Sequence, residues 1–144
     1  MIALEYLAVV CSGLFAGAAI YVNLVEHPAR MNCGPALAHA EWIPSYRRAT
    51  RMQAPLALVG GLSGIGAWIA GTAVGWLVSG LLLLSVVPFT LLVMLPTNKA
   101  LLAIPPGQET ERAAVLLGRW TRLHAVRTVD GTLSFAIFVG LLAR

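Results

Sequence analysis

The longest uncharged stretch of the chain is the feature that most constrains its fold. Residues 52–98, between Arg51 and Lys99, hold no Asp, Glu, Lys or Arg over 47 positions. A single helix of that length would reach about 70 Å, more than twice the roughly 30 Å hydrocarbon core of a bilayer. The stretch therefore folds back as a helical hairpin. Its turn is predicted at residues 71–75, because the glycines there weaken helical preference at the middle of the stretch.

The composition places this hairpin in a membrane. Hydrophobic residues make up 58% of the 144 residues and charged residues only 11%, and the mean hydropathy is +0.81. So few charged side chains are too few to cover the surface of a soluble domain, which excludes that class. The fold class predicted is all-α, an integral membrane four-helix bundle forming one transmembrane domain over residues 1–144. Its four spans are predicted at residues 3–26, 53–70, 76–96 and 124–143.

The fourth span brings ionisable side chains to the membrane. Only 13 uncharged residues separate Asp130 from Arg144, and these cover about two thirds of the hydrocarbon core. The helix must therefore begin near His124, which draws His124, Arg127 and Asp130 into the membrane or its edge. Ionisable groups there are costly and usually face a partner or a water-filled cavity. Asp130 is expected to pair with Arg127, three residues earlier on the same helix.

Basic residues cluster in the two long loops, around residues 30–51 and 99–122, and the short turn between them has none. The positive-inside rule then predicts that both loops are cytoplasmic and both termini lie outside, in what we take to be a bacterial inner membrane. Residues 35–52 and 109–123 mix apolar and basic side chains, which predicts a short amphipathic helix in each loop. The expected partner of these basic residues is the lipid bilayer and not a nucleic acid.

Polar side chains at the cytoplasmic ends of all four spans are expected to surround one vestibule. One stripe on the fourth helix, at spacings of four, three and four residues, consists of Trp120, His124, Arg127 and Gly131. Asn23 and His27 lie one turn apart on the first helix. Glu26, beside them, is expected to pair with Arg127 or Arg47 because an unpaired carboxylate there would be costly.

Five short motifs follow one another along the chain in a specific order. They are Gly13-Leu14-Phe15-Ala16-Gly17, Asn23-Leu24-Val25-Glu26-His27-Pro28-Ala29, Trp42 with Ser45-Tyr46-Arg47, Leu95-Pro96-Thr97-Asn98, and Trp120-x-x-x-His124-x-x-Arg127-Thr128. Together they resemble the anthrone oxygenase-like family of small four-helix membrane proteins, also described as a domain of unknown function. The resemblance implies the activity associated with fungal members of the family, which is oxidation of an anthrone to an anthraquinone by dioxygen without a conventional cofactor. It carries over as site candidates His27, Asn98, Trp120, His124 and Arg127.

The activity implied by the resemblance requires a base that deprotonates an acidic phenol or activated methylene, so that the carbanion can reduce dioxygen. Histidine suits this role because its unperturbed pKa is about 6.5. On this hypothesis His124 or His27 is the base, Arg127 stabilises the enolate or phenolate, and Asn98 hydrogen-bonds the substrate oxygen. The aromatic walls of the pocket are predicted to be Trp42, Tyr46 and Trp120. The remaining substrate-binding candidates are Asn23, Glu26 and Arg47.

Three alternatives stay open at this point. The polar residues would form a buried clamp that only holds the helices together. Alternatively, His27, His124 and Glu26 would ligate a metal ion, or the two histidines would bracket a haem, although the favoured hypothesis requires neither cofactor. In the third, the pocket binds a quinone or another hydrophobic ligand without turnover. A homo-oligomer is compatible with each. His39 is expected to face solvent.

Overall fold

The computed structural model describes residues 2–105, 108 and 111–144, and these form four long helices without a strand. The helices are α1 (Ile2–Asn32), α2 (Pro35–Ile69), α3 (Val74–Leu102) and α4 (Glu111–Leu142). Each is long and apolar enough to cross a membrane. The prediction of an all-α, integral membrane four-helix bundle is confirmed.

Two of the four helices contain a five-residue π-helical segment. The successive parts of α1 are Ile2–Tyr21 (α), Val22–Glu26 (π) and His27–Asn32 (α), and those of α3 are Val74–Phe89 (α), Thr90–Met94 (π) and Leu95–Leu102 (α). A π segment accommodates an extra residue in the helical turn and is frequent at functional sites. The segment in α1 carries Asn23 and Glu26, two of the candidate site residues.

The two loop segments predicted as separate amphipathic helices are helical but not separate. Residues 35–52 form the first half of α2, and residues 111–123 form the start of α4; residues 109 and 110 lie outside the described residues. The prediction of short independent helices was therefore wrong in this respect. The reason is packing, because Trp42 of α2 and Leu117 and Trp120 of α4 are buried in one apolar cluster, which continues the bundle beyond the predicted spans.

The hairpin of α2 and α3 turns at residues 70–73, where Gly71 has a φ of 97°. That conformation favours glycine, since a side chain there would be strained. Below the turn the two helices approach closely at Gly61 and Gly80. A Cβ built on Gly80 would lie 2.6 Å from the carbonyl oxygen of Gly61, so a methyl group there would push the two backbones apart.

Apolar side chains form two clusters along the bundle, and the polar residues lie between them. The first cluster includes Phe15, Leu83 and Phe138, and the second is the cluster of Trp42 and Trp120. Gln53, His124 and Arg127 fall between these groups in sequence on α2 and α4, and Asn23 on α1 bonds His124. The fold therefore sandwiches a polar layer between two apolar ones.

His39 is buried and not solvent-facing, so the expectation for this residue was wrong. Its side chain is only 1% exposed, and Nε2 lies 2.8 Å from the carbonyl oxygen of Leu101. Because a carbonyl oxygen only accepts, Nε2 carries the proton and donates it. The extension of α2 thus brings His39 against the end of α3 and ties the two helices together.

Replacing His39 with alanine is expected to destabilise the folded protein by about 1–3 kcal/mol, because the buried carbonyl of Leu101 loses a hydrogen-bond donor. Thermal unfolding in detergent measures the effect. The matched control is Leu37→Ala, two residues earlier, where the side chain is 64% exposed. Equal stability of the two variants would contradict the role assigned to His39.

Candidate functional site

The predicted stripe on α4 faces the interior of the bundle. Trp120 and His124 are 5% and 2% exposed. Gly131 is buried against the ring of Phe15 on α1, where an added Cβ would lie 2.6 Å from a ring carbon. The guanidinium of Arg127 lies 5.5 Å from the centre of that same ring. The helical spacing therefore located the inward face of α4 correctly.

His124 is held by a hydrogen-bond network centred on Asn23. The Nδ2 amide of Asn23 donates to the carbonyl of Thr121 (3.3 Å), so its Oδ1 is the atom that faces Thr128 and His124. The Thr128 hydroxyl lies 2.7 Å from Oδ1 and His124 Nδ1 lies 2.5 Å from it. Since Oδ1 can only accept, Nδ1 of His124 carries a proton. In the neutral ring this leaves Nε2 as the basic nitrogen.

Aromatic rings form a connected cluster beside His124. The indole of Trp120 stacks on His124 at a centroid distance of 4.7 Å and also contacts the ring of His27 at 5.1 Å. Trp42 meets Trp120 edge-on at 6.0 Å and stacks on Tyr46 at 4.9 Å. Four of the predicted residues on α1, α2 and α4 are thus in one connected cluster with His124.

Arg127 points toward α2 and not toward Asp130. Its Nη2 donates to Oε1 of Gln53 at 2.9 Å, and no ion pair joins Arg127 to Asp130 in the described part of the chain. The side chain of Asp130 instead faces Ser85 on α3. The predicted pairing was wrong because Arg127 lies on the inward stripe, where Gln53 offers an acceptor in the polar layer.

Glu26 also has a different partner from those expected. Its carboxylate pairs with Arg30, one turn later on α1, and accepts a hydrogen bond from the Ser45 hydroxyl at 2.6 Å. Arg30 is 6% exposed and also pairs through Nε with Glu41, at 2.7 Å. Arg47 takes no part, because the structure places it on the exposed side of α2. Arg30 pairs with Glu26 because residues four apart on one helix are neighbours.

A small inner cavity of about 20 Å³ lies at the centre of this site. It has room for about one water molecule. Its lining comprises Val22, Arg30, Trp42, Ser45, Tyr46, Ala49, Thr50, Gln53, Trp120, His124 and Arg127. Neither His27 nor Asn98 belongs to this lining, and Arg47 lines none of the cavities described for the chain. Of the three predicted polar residues His27, Asn98 and His124, the inner cavity is therefore lined by His124 alone.

His27 and Asn98 are nevertheless deeply buried. They are 2% and 1% exposed. Among the residues that the structure describes, no partner lies within hydrogen-bond geometry of either ring nitrogen of His27 or of Oδ1 of Asn98, although the carbonyl of Leu117 is near the His27 ring. The indole nitrogens of Trp42 and Trp120 likewise have no acceptor in the described part of the chain. Buried polar atoms are usually hydrogen-bonded, so these groups are candidates for contact with water or a ligand.

The residues predicted as metal ligands do not form a three-ligand site. Among the described residues there is no group of three His, Cys, Asp or Glu side chains close enough to share an ion. The carboxylate of Glu26 is occupied by Arg30 and Ser45. The described residues therefore give no arrangement in which His27, His124 and Glu26 share one metal ion. The indole of Trp120 contacts the rings of both histidines, so a haem between them would require Trp120 to move.

The structure adds two residues that the sequence reasoning did not place in the site, Arg30 and Ser45, whereas Gln53 is one of the polar residues expected around the vestibule. Gln53 is the first polar residue of the second predicted span, and a buried amide at that depth was a signal of function. Arg30 stands four residues after Glu26, a spacing that favours an ion pair on one helix. Only Ser45 gave no local signal beyond its place beside Tyr46.

The fold and the site together define a class of protein. It is a four-helix membrane protein in which a histidine with a fixed tautomer lines a cavity with aromatic walls. The family model of anthrone oxygenase matches residues 42–137, and the chain belongs to this family. The resemblance seen in the motifs is confirmed. The matched region includes Trp42, Gln53, His124 and Arg127 but not the π segment of α1.

Among curated proteins, an anthrone oxygenase of Aspergillus fumigatus is 40% identical to this chain over 62 residues. The match covers 41% of this chain and 38% of the relative, so it spans well under half of either protein. No solved structure matches the chain.

Proposed function

We propose that this protein is a membrane-embedded oxygenase that oxidises a hydrophobic aromatic small molecule, of the anthrone or quinol type, with dioxygen. The observation that carries the proposal is the hydrogen bond between His124 Nδ1 and Asn23 Oδ1. It leaves Nε2 as the basic nitrogen of a ring that lines an aromatic-walled cavity. Membership of the anthrone oxygenase family supports the reaction class.

The proposed chemistry begins with proton removal from the activated methylene of the substrate by His124. The resulting carbanion transfers an electron to dioxygen, and the two radicals combine to a peroxide. The imidazolium returns its proton to the peroxide, and water is then eliminated with loss of the second methylene hydrogen. One oxygen atom ends as the new carbonyl and the other as water, so that four electrons pass from the methylene to dioxygen and no external reductant is needed.

The other cavity residues support this step through charge and shape. Arg127, oriented by Gln53, supplies a fixed positive charge for the enolate or phenolate that forms on deprotonation. Trp42, Tyr46 and Trp120 provide flat apolar walls, and because the inner cavity of about 20 Å³ holds about one water molecule, these walls must move apart for an aromatic substrate to enter. His124 is preferred to His27 as the base because it lines the cavity and has its tautomer set by Asn23. Asn98 and His27 do not line the inner cavity, and we propose that they contribute from the far side of the aromatic wall. The proposed reaction requires no resident cofactor.

The proposed setting is a bacterial inner membrane, with both termini outside and the polar layer toward the cytoplasmic side. The basic residues Arg47, Arg48 and Arg51 lie exposed on α2 beyond the polar layer, where they would meet anionic headgroups. A hydrophobic substrate dissolved in the bilayer would then reach the site laterally.

Oxygen uptake tests the proposal directly. Purified protein in nanodiscs, supplied with a soluble anthrone, is expected to consume one dioxygen per anthraquinone formed, above the rate of spontaneous autoxidation in empty nanodiscs. Absorption of the quinone and an oxygen electrode give the two amounts. A ligand that co-purifies and binds tightly without any oxygen uptake would replace catalysis by a binding role for the same pocket.

A further inference from the structure

A second, larger cavity lies on the side of the bundle between α1 and α2, and we call it the α1–α2 groove. Its volume is about 480 Å³, within the range of small-molecule sites in proteins. It is lined by Ala18, Tyr21, Val22, Glu26, Glu41, Pro44, Ser45, Arg48, Ala49, Met52 and Gln53. The inner cavity holds about one water molecule, whereas the groove is large enough for a polycyclic molecule.

The α1–α2 groove and the inner cavity share one wall. Val22, Ser45, Ala49 and Gln53 line both. Gln53 hydrogen-bonds Arg127 on the inner side. A molecule in the groove is therefore separated from the Arg127 side of the catalytic cavity by a single layer of mostly small side chains.

The ion cluster of Arg30 spans the same wall. Arg30 lines the inner cavity, whereas its two carboxylate partners, Glu26 and Glu41, line the groove. Ser45, which donates to Glu26, lines both. The Arg30–Glu41 ion pair and the hydrogen bond from Ser45 to Glu26 join α1 to α2, so they hold the two helices together at this wall.

The lining of the groove indicates the chemistry of its ligand. Small apolar side chains, among them Ala18, Val22 and Ala49, offer a floor for flat rings. The two carboxylates would repel a phosphate or carboxylate ligand, and Arg30 already compensates them. Tyr21 and Arg48 at the exposed edge are residue types typical of a membrane interface. This combination favours a neutral molecule with an apolar ring system and a few hydroxyl groups that hydrogen-bond the polar rim.

We propose that the α1–α2 groove is the binding site in which a neutral polycyclic phenol is first captured, and that it passes to His124 through the wall at Ser45 and Ala49. The proposal rests on the function proposed above. It names the substrate class and the route of entry. It assigns capture to the groove and not to a smaller cavity of about 130 Å³ between α2 and α3, which also reaches Arg127.

Two alanines on α2 provide a matched test. Ala49 lines the groove and the inner cavity, whereas Ala54 lines only the α2–α3 cavity, and both are half-buried. Ala49→Leu is expected to weaken binding of a hydroxylated anthraquinone about tenfold, or roughly 1.4 kcal/mol, whereas Ala54→Leu leaves it unchanged. Quenching of tryptophan emission by the quinone, which is not a substrate, measures the binding without turnover.

A second variant acts from the opposite wall. Ala18→Leu, on α1, narrows the groove without touching the inner cavity, and it is expected to weaken binding as Ala49→Leu does. Unchanged binding in both variants, or a loss confined to Ala54→Leu, would overturn the proposal. Oxygen uptake separates this outcome from failure of the proposed function. Turnover with unaltered affinity in the groove variants refutes only the groove, whereas groove-dependent binding without oxygen uptake refutes only the catalysis.

Discussion

Replacing His124 with alanine is expected to lower the rate of oxygen uptake with an anthrone by about 10²–10⁴-fold, the usual contribution of a positioned general base. The reason is local: His124 is the cavity-lining residue whose ring is both buried and set in one tautomer by Asn23. The measurement is the initial rate of dioxygen consumption per mole of folded protein in nanodiscs.

The matched control for this prediction is the same substitution at another buried histidine. His39→Ala removes a contact between α2 and α3 and no cavity wall, so it lowers stability but keeps the rate per folded molecule. Asn23→Ala is expected to give an intermediate loss, because His124 remains but its ring is no longer held. Asn23→Ala added to His124→Ala should cost nothing further. A His124→Ala variant that inserts normally and retains the wild-type rate would refute the assignment of the base.

Replacing Gly80 with alanine is expected to be the most destabilising single-methyl change in the membrane-spanning part, at about 1–3 kcal/mol. The new Cβ would lie 2.6 Å from the carbonyl oxygen of Gly61 and 3.1 Å from the backbone nitrogen of Ile65. Both obstacles are backbone atoms, so relief requires that α2 and α3 move apart. Resistance to unfolding by heat or by SDS in mixed micelles measures the loss.

Gly140→Ala is the matched control for Gly80. It adds the same methyl group on a helix, but no neighbouring atom of the described residues would lie within 4 Å of the new Cβ. Alanine is the better helix former, so this variant should be as stable as the parent or slightly more stable. If both variants unfold alike, the close approach of α2 and α3 at Gly61 and Gly80 is not what limits stability.

The α4 stripe shows what helical spacing can predict. Trp120, His124, Arg127 and Gly131 share a face because residues three and four apart on a helix are neighbours, and no tertiary information is needed to see this. The direction of that face followed from the cost of ionisable groups in lipid. Both inferences depend on the local geometry of a helix and on the cost of ionisable groups in lipid. Neither requires knowledge of the contacts between helices.

The partners of the polar residues could not be predicted in the same way. Arg127 was expected to bond Asp130 and bonds Gln53 instead, and Glu26 was expected to bond Arg127 or Arg47 and bonds Arg30 and Ser45. Several acceptors and donors stand near each charge in sequence or in topology. The choice among them depends on how each helix is rotated about its axis, because a displacement of an ångström or two changes which donor and acceptor meet. The π segment in α1 changes that rotation.

By itself the sequence determined the class of fold, the number of spans and the inward face of α4, because the thickness of a bilayer and the periodicity of a helix are constants that any chain must meet. Only the tertiary structure decided that His124 and not His27 lines the inner cavity, that Asn23 sets its tautomer, and that a larger groove adjoins that cavity. These features arise from contacts between helices far apart in sequence, whose packing is decided by all four surfaces at once.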